Sequence, residues 1–344
     1  MSYTIEEVRG SAPIEDEIAA FLAEFVRKGE LPEPNPGEEH AEIWRMRLDW
    51  WWRDNPFFHE DTLKALLLKS PDGELVGFHG FIPHDYERDG TIIPSLIATT
   101  FFVAEAHRDA ALGVFLKVKR LTATHHIVDG TPSEKVREIL DRFKFQSCRE
   151  GSQHYFFTKN TGWHPRSLIS RASSILNGVT AVEIPGSRLV HDPAEIASIC
   201  RRPHDGSIHR RITLDGLNWA ASVGTSKRHF VGLVDRNDQL LSYFIGFPFQ
   251  KYSIRAVRLV DYANFGGEAM DYSMALISQM CRHPENSPLA TDTDLFIWPI
   301  LNAQKKPGGL LQRSWDCNLY YKTPREFESY ERLCVPFEGD GVLL

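Results

Sequence analysis

What this chain has little of narrows its chemistry first. Its five cysteines, Cys148, Cys200, Cys281, Cys317 and Cys334, are odd in number, far apart and never in a C-x-x-C pair. Neither a disulfide framework nor a metal knuckle is indicated, and a reduced cytoplasm is the expected compartment. Positive charge is not in excess either: 39 lysines and arginines face 46 aspartates and glutamates, a net of −7. Such a balance sets up no general field for nucleic acid. No segment has the unbroken apolar length that crosses a bilayer, and Met1 to Arg9 is acidic and lacks the apolar core of a signal peptide. The expectation is a soluble protein without membrane, metal or nucleic-acid partners.

What is present is ordinary globular composition, 42% hydrophobic and 25% charged, in a chain of 344 residues that is long for one core. After a short alternating stretch, Tyr3 to Val8, the residues Ile14, Ile18, Phe21, Leu22 and Phe25 fall at helical spacing. A breaker-rich linker, Leu31 to Gly37, separates them from a second helical run, His40 to Arg53, which Asn55-Pro56 ends. That run carries Trp44, Trp50, Trp51 and Trp52, read as core packing with one or two surface anchors. Strand patterns follow at Leu63 to Lys69, Glu74 to Pro83 and Thr91 to Val103, joined by turns at Pro71-Asp72-Gly73 and Arg88-Asp89-Gly90. A helix from about Asp109, a strand at His125 to Val128, a helix at Pro132 to Phe143 and a strand at Gln153 to Thr158 complete the first half. This order implies a mixed α/β fold (α+β in type): a mostly antiparallel mixed sheet flanked by helices.

The second half echoes the first. Strands at His229 to Val234, Gln239 to Phe249 and Arg255 to Ala263, a helix from about Glu268 to Cys281 and a strand at Thr293 to Trp298 repeat the order from Leu63 onward. A helix near Asn302 to Gln312 and a strand at Asn318 to Lys322 then match the rest. Two tandem domains, 1–160 and 187–344, joined by a connector at 161–186, account for the length.

One stretch stands out. The apolar strand ending at Val103 feeds the loop Ala104-Glu105-Ala106-His107-Arg108 and then a helix, a junction whose free N–H groups and positive helix end suit a phosphate. Its residues Arg108-Asp109-Ala110-Ala111-Leu112-Gly113 resemble the pyrophosphate-binding motif of the GCN5-related N-acetyltransferase superfamily, with Ala111 where the motif has its first glycine. In the second half the junction reads Asn264-Phe265-Gly266-Gly267-Glu268, shorter and without the arginine, so the second copy is degenerate. The resemblance implies acetyl-CoA as co-substrate, with no metal. It would be held by Arg108 through Gly113 and by the backbone of Phe102 and Val103, which pairs with the pantetheine as a strand would.

Later family positions, an asparagine, a helical tyrosine acid and a Gly-Phe pair, align here with Ser133, Leu140 and Lys144-Phe145. Ser133 is thereby assigned to the cofactor. The tyrosine is missing, and Tyr155, Ser133 or Cys148 are the substitutes near it. Amine acetylation also needs a proton acceptor, for which His79, His84, Asp85, Glu105 and His107 lie near strand ends. His79, Glu105 and Tyr155 are carried forward as catalytic candidates. Each also reads as a structural or solvated residue. Asp261 and Tyr262, with Arg258, are candidate substrate contacts in the second half. The basic runs Arg201-Arg202 and His209-Arg210-Arg211 read as a solvated face or an attraction for an acidic substrate.

The expected function is therefore acyl-CoA-dependent N-acyl transfer, acetyl in the first instance, to an amine of a small molecule or sugar by a monomer. The alternatives are an aminoacyl-tRNA-dependent transferase of the peptidoglycan-bridge type, which the acidic charge disfavours, and a non-catalytic acyl-CoA-binding scaffold.

Overall fold

A computed structural model describes residues 2–31, 39–130, 132–158, 183–200, 208–222, 228–251, 254–265, 270–301 and 312–327. The first half begins with β1 (Thr4–Arg9), α1 (Glu15–Arg27) and α2 (His40–Trp51). Strands β2 (Leu63–Lys69), β3 (Leu75–Arg88) and β4 (Thr91–Val103) form an antiparallel meander, with β1 antiparallel to β2. A 3-10 segment (Glu105–Ala110), α3 (Ala111–Leu121), β5 (His126–Asp129), α4 (Glu134–Arg142) and β6 (Gln146–Phe157) follow. The patterned strands at 63–69 and 91–103 coincide with β2 and β4. Strand β3 runs past Pro83, because between Gly80 and Tyr86 its ladder partner is β4 alone and a missing N–H is tolerated.

The second half contains β7 (Arg188–Val190), α5 (Pro193–Ile199), β8 (His209–Arg210), α6 (Leu214–Ala221), β9 (His229–Val234), β10 (Leu240–Lys251), β11 (Ile254–Asn264), α7 (Met270–Arg282), β12 (Leu295–Leu301) and β13 (Gln312–Lys322). In both halves an antiparallel meander, β2-β3-β4 or β9-β10-β11, is followed by a helix and a strand parallel to the last meander strand. The connector and the expected helix near Asn302 to Gln312 fall mostly or wholly outside the described residues, as do Arg201-Arg202 and Gly266-Gly267.

All the strands among the described residues join one 13-stranded sheet, ordered β1-β2-β3-β4-β5-β13-β6-β12-β11-β10-β9-β7, with β8 beside β3. The two halves exchange their last strands. From the second half, β13 lies antiparallel to β5, with Tyr320 opposite Asp129 and Lys322 opposite Ile127. From the first half, β6 lies antiparallel to β12, and β6 and β13 pair with each other across the middle.

Side-chain alternation gives the sheet two faces. On one, α1, α2 and α6 cover a core that runs through both halves, from Phe21, Trp44 and Leu67 to Trp219, Tyr243 and Val260. On the other, α3 and α4 pack over Leu66, Phe81, Leu96 and Ile127, while α7 covers a separate core around Phe244, Leu276 and Trp298. All four tryptophans of the 44–52 run are buried. Trp50 of α2 and Trp219 of α6 stack at 4.3 Å, and each indole N–H donates to the other's backbone carbonyl, at 3.2 and 2.9 Å. No helix among the described residues is long and apolar enough to cross a membrane.

Candidate active site

The site starts from two irregularities in β4. First, β4 runs parallel to β5 only from Ser95 to Ala98, opposite His126 to Asp129, and among the described residues it has no ladder partner on that side beyond Ala98. Its backbone groups from Thr99 onward therefore face an open wedge. Second, the β3–β4 register shifts between Phe78 and Gly80, and Thr100 adopts φ 43°. A β-branched residue in the left-handed region is strained, and such bulges cluster where a backbone group must be re-aimed. The wedge holds a cleft of about 180 Å³ lined by Thr99, Thr100 and Phe101 of β4, His79 of β3, Asp129 of β5 and Ser133 at the start of α4.

Two of these residues were candidates from sequence. His79 is 2% exposed and sits edge-on to Phe81 and Phe101, at 4.9 and 5.2 Å. Burial pushes its pKa down to about 3, so the imidazole is neutral. Among the described residues its Nδ1 has no hydrogen-bond partner. Ser133 is the N-cap of α4, yet its hydroxyl makes no capping bond, which leaves it free to turn to the cleft. The carboxylate at the cleft is Asp129, 8% exposed, which the sequence reading missed by ending the strand at Val128. Its signal was the Asp129-Gly130 step closing an otherwise apolar strand.

The motif lies at the wedge's outer end, arranged differently from expectation. Residues 105–110 form a 3-10 segment, and the α-helix begins only at Ala111. Arg108 is half exposed, and its Nη1 lies 3.8 Å from Oε1 of Glu105, itself 75% exposed. That pair is loose and solvated, leaving the guanidinium able to turn toward an anion. The Glu105 amide donates to Glu30 at 3.2 Å, and His107 Nδ1 meets the Tyr3 hydroxyl at 2.9 Å, which ties the loop to α1's end and to β1. Asp109 and Leu112 are exposed, whereas Ala110 and Ala111 pack against the α3 core. At Gly113 a Cβ would lie 3.1 Å from Ile5 Cδ1, so its small size serves the packing of α3 on β1.

Other candidates lie away from the cleft. Phe102 packs on Phe25 at 4.8 Å and Val103 is buried beside Gly77, so only their backbone edge is available to the wedge. His84 stacks on Phe57 at 4.2 Å, and Asp85 pairs with Arg211 at 3.2 Å. Leu140 and Cys148 are buried in the cores. Tyr155 stands on β6 among second-half strands, its hydroxyl donating to Gln153 at 3.1 Å. Asp261 is 1% exposed and receives both the Arg210 guanidinium and the Tyr243 hydroxyl, at 3.1 Å for the latter. A buried pair of this kind joins β8 to β11 and is not open to a substrate. Tyr262 is half buried against Trp298 at 5.6 Å. Among the described residues no cluster of three or more His, Cys, Asp or Glu is placed to hold a metal ion.

No family model matches this sequence, and no curated protein matches it. Solved structures resemble it in fold. A conserved protein of unknown function from Enterococcus faecalis, a probable N-acyltransferase, superimposes with a TM-score of 0.59 at 9% identity, covering 95% of this chain and 74% of its own. A GCN5-related N-acetyltransferase from Anabaena variabilis gives 0.55 at 9% identity, covering 92% and 72%. Eis1 from Mycobacterium abscessus gives 0.50 at 14% identity, covering 94% and 74%. The chain has the fold of the GCN5-related N-acetyltransferases over nearly its whole length.

Proposed function

We propose that this protein is an acyl-CoA-dependent N-acyltransferase whose first half holds the thioester in the β4–β5 wedge. The observation that carries the reading is the wedge itself, where a strand edge without a partner among the described residues and a strained bulge at Thr100 meet the start of α4. An open strand edge pairs with an amide-bearing chain such as pantetheine. Arg108 and the amides of the 3-10 segment and first turn of α3 supply charge and donors for the pyrophosphate. The residues present fit that group, with one departure: Gly113 is occupied with packing. Fold likeness to proteins named as N-acetyltransferases supports the same class.

Bound there, the co-substrate supplies an electrophilic carbonyl and a thiolate leaving group. The protein's part is to orient that carbonyl at the bulge, whose re-aimed N–H groups can stabilise charge on its oxygen. Asp129, at the cleft and buried, is the group placed to accept the proton of the incoming amine. His79 is a weak base here, since burial already holds it neutral down to about pH 3. The group transferred is acetyl, the acceptor is an amine of a small molecule or sugar, and the second half, a degenerate copy of the first, shapes the acceptor's approach in a monomer.

Calorimetry with coenzyme A and acetyl-CoA tests the reading, with thiol release in the presence of amines as the activity. Arg108→Ala is expected to weaken coenzyme A binding about tenfold, the worth of one charge-assisted contact. Asp129→Asn is expected to keep coenzyme A affinity and lower turnover roughly 100-fold or more. Absence of binding by the unmodified chain sinks the reading.

A further inference from the structure

Of the second-half residues that the sequence singled out, Asp261 is engaged by Arg210 and Tyr243, and Tyr262 packs on Trp298. Arg258 is left over. Its neighbours along β11, Val257 and Leu259, point into the core covered by α7, so alternation sets Arg258 on the opposite face of the sheet. There it lies between Phe247 of β10 and Ile297 of β12, with Tyr155 of β6 opposite Ile297, and all four side chains are half buried. Among the described residues its guanidinium makes no hydrogen bond and no ion pair, and burial draws its pKa below the usual arginine value. Other arginines of this half are met: Arg255, on the same strand, holds Asp294 and Asp292 at 3.0 and 3.3 Å, and the buried Arg210 holds Asp261. Taking a charge even part-way out of water costs free energy unless a counter-charge meets it. The Tyr155 phenol beside Arg258 is not such a counter-charge, since its hydroxyl keeps its proton and donates to Gln153 at 3.1 Å.

We propose that this face of the second half is a binding site for a small organic carboxylate with an apolar body, its anion held by Arg258 and its body by Phe247, Ile297 and Tyr155. A guanidinium with its donors unspent grips a carboxylate through two parallel hydrogen bonds. One cation matches the single charge of a carboxylate and leaves part of a phosphate dianion's charge unmet. Two rings and an aliphatic side chain around the cation suit an apolar body. The site is separate from the wedge: β11 stands four strands from β5, about 19 Å along the sheet at about 4.8 Å per strand. A carboxylate is bound there whether or not the wedge holds coenzyme A.

Calorimetry on the full chain with phenylacetate, its neutral isostere phenylacetamide, and acetate tests this. The unmodified protein is expected to bind phenylacetate about tenfold more tightly than phenylacetamide, the worth of one charge-assisted contact, and more tightly than acetate, which lacks the apolar body. In Arg258→Met the preference for the anion is expected to vanish, while Arg258→Lys keeps part of it. Without ligand, Arg258→Met is expected to unfold at a higher temperature than the unmodified protein, because it removes an uncompensated charge from an apolar setting. A lower unfolding temperature would mean that a counter-charge already holds Arg258, and overturns the proposal. Equal affinities for phenylacetate and phenylacetamide in the unmodified chain, or binding of neither, also overturn it, as do acetate and phenylacetate bound alike and a preference that survives Arg258→Met. The comparison in the unmodified chain stands even where a variant does not fold.

Discussion

Lys144 shows how one residue can record a constraint that its own chemistry does not suit. It follows α4 with φ 60°, in the left-handed region that favours glycine, and its N–H donates to the Asp141 carbonyl at 2.9 Å. The motif pattern that the sequence resembles has glycine at this position, and the backbone here takes the conformation that suits glycine. Lys144→Gly is expected to stabilise the protein by about 1 kcal/mol, read as a higher urea midpoint at unchanged m-value. His79 gives a second test, in pH. Its folded pKa of about 3 lies below the unfolded value near 6.5, so its contribution is fully present above pH 6.5 and is lost as pH falls toward 3. The stability difference between the unmodified protein and His79→Phe should therefore move against the former by about 1.4 kcal/mol per pH unit below 6.5, measured by urea unfolding between pH 6.5 and 4.5. Among the residues lining the cleft, His79 was singled out in the sequence by its place on a strand and Ser133 by its alignment with the family's asparagine. Asp129 was overlooked, because an Asp-Gly step at the end of a short strand reads as the turn beyond it as readily as the strand's last residue.

At the scale of elements, β2 and β4 were legible because long apolar runs bounded by turn residues leave little alternative. The 3-10 segment at 105–110 was not, since alanine and charged residues suit a three-residue turn as well as a 3.6-residue one. Nor were the partners of β6 and β13, for alternation along a strand is the same whichever strand lies beside it. The Trp50–Trp219 contact between α2 and α6 joins the halves on the face opposite the cleft, each ring filling the other's carbonyl. Trp219→Phe removes the described donor to the buried Trp50 carbonyl, at a cost of about 1–3 kcal/mol, whereas Trp50→Phe costs less, because the Trp219 carbonyl keeps the Ser222 N–H and hydroxyl at 3.0 and 2.8 Å. The double substitution is expected to cost less than the two singles together, because both belong to one contact; strict additivity in a thermal-unfolding cycle would argue against the reciprocal arrangement.

On the scale of the molecule, the exchanged strands decide how the halves behave. A core on the α1–α2–α6 face runs through both, and β5 has β13, not β6, as its outer neighbour. The halves are expected to unfold in one transition, with tryptophan fluorescence and far-ultraviolet circular dichroism giving coincident curves. Two separated transitions would show that each half is stable without the other's strand. A chain ending near residue 160 lacks both described partners of β6, β12 and β13, and is expected not to reach a native fold.

The pairing of Tyr320 with Asp129 also sets an order in time. A chain is made from its N-terminus, so the strand that carries Asp129 emerges from the ribosome about 190 residues before the one that braces it. Until Lys322 is clear of the exit tunnel the wedge lacks one wall's support, and the nascent first half carries an open β5 edge. The proposed site is thus completed late in synthesis, when the second half delivers its strand.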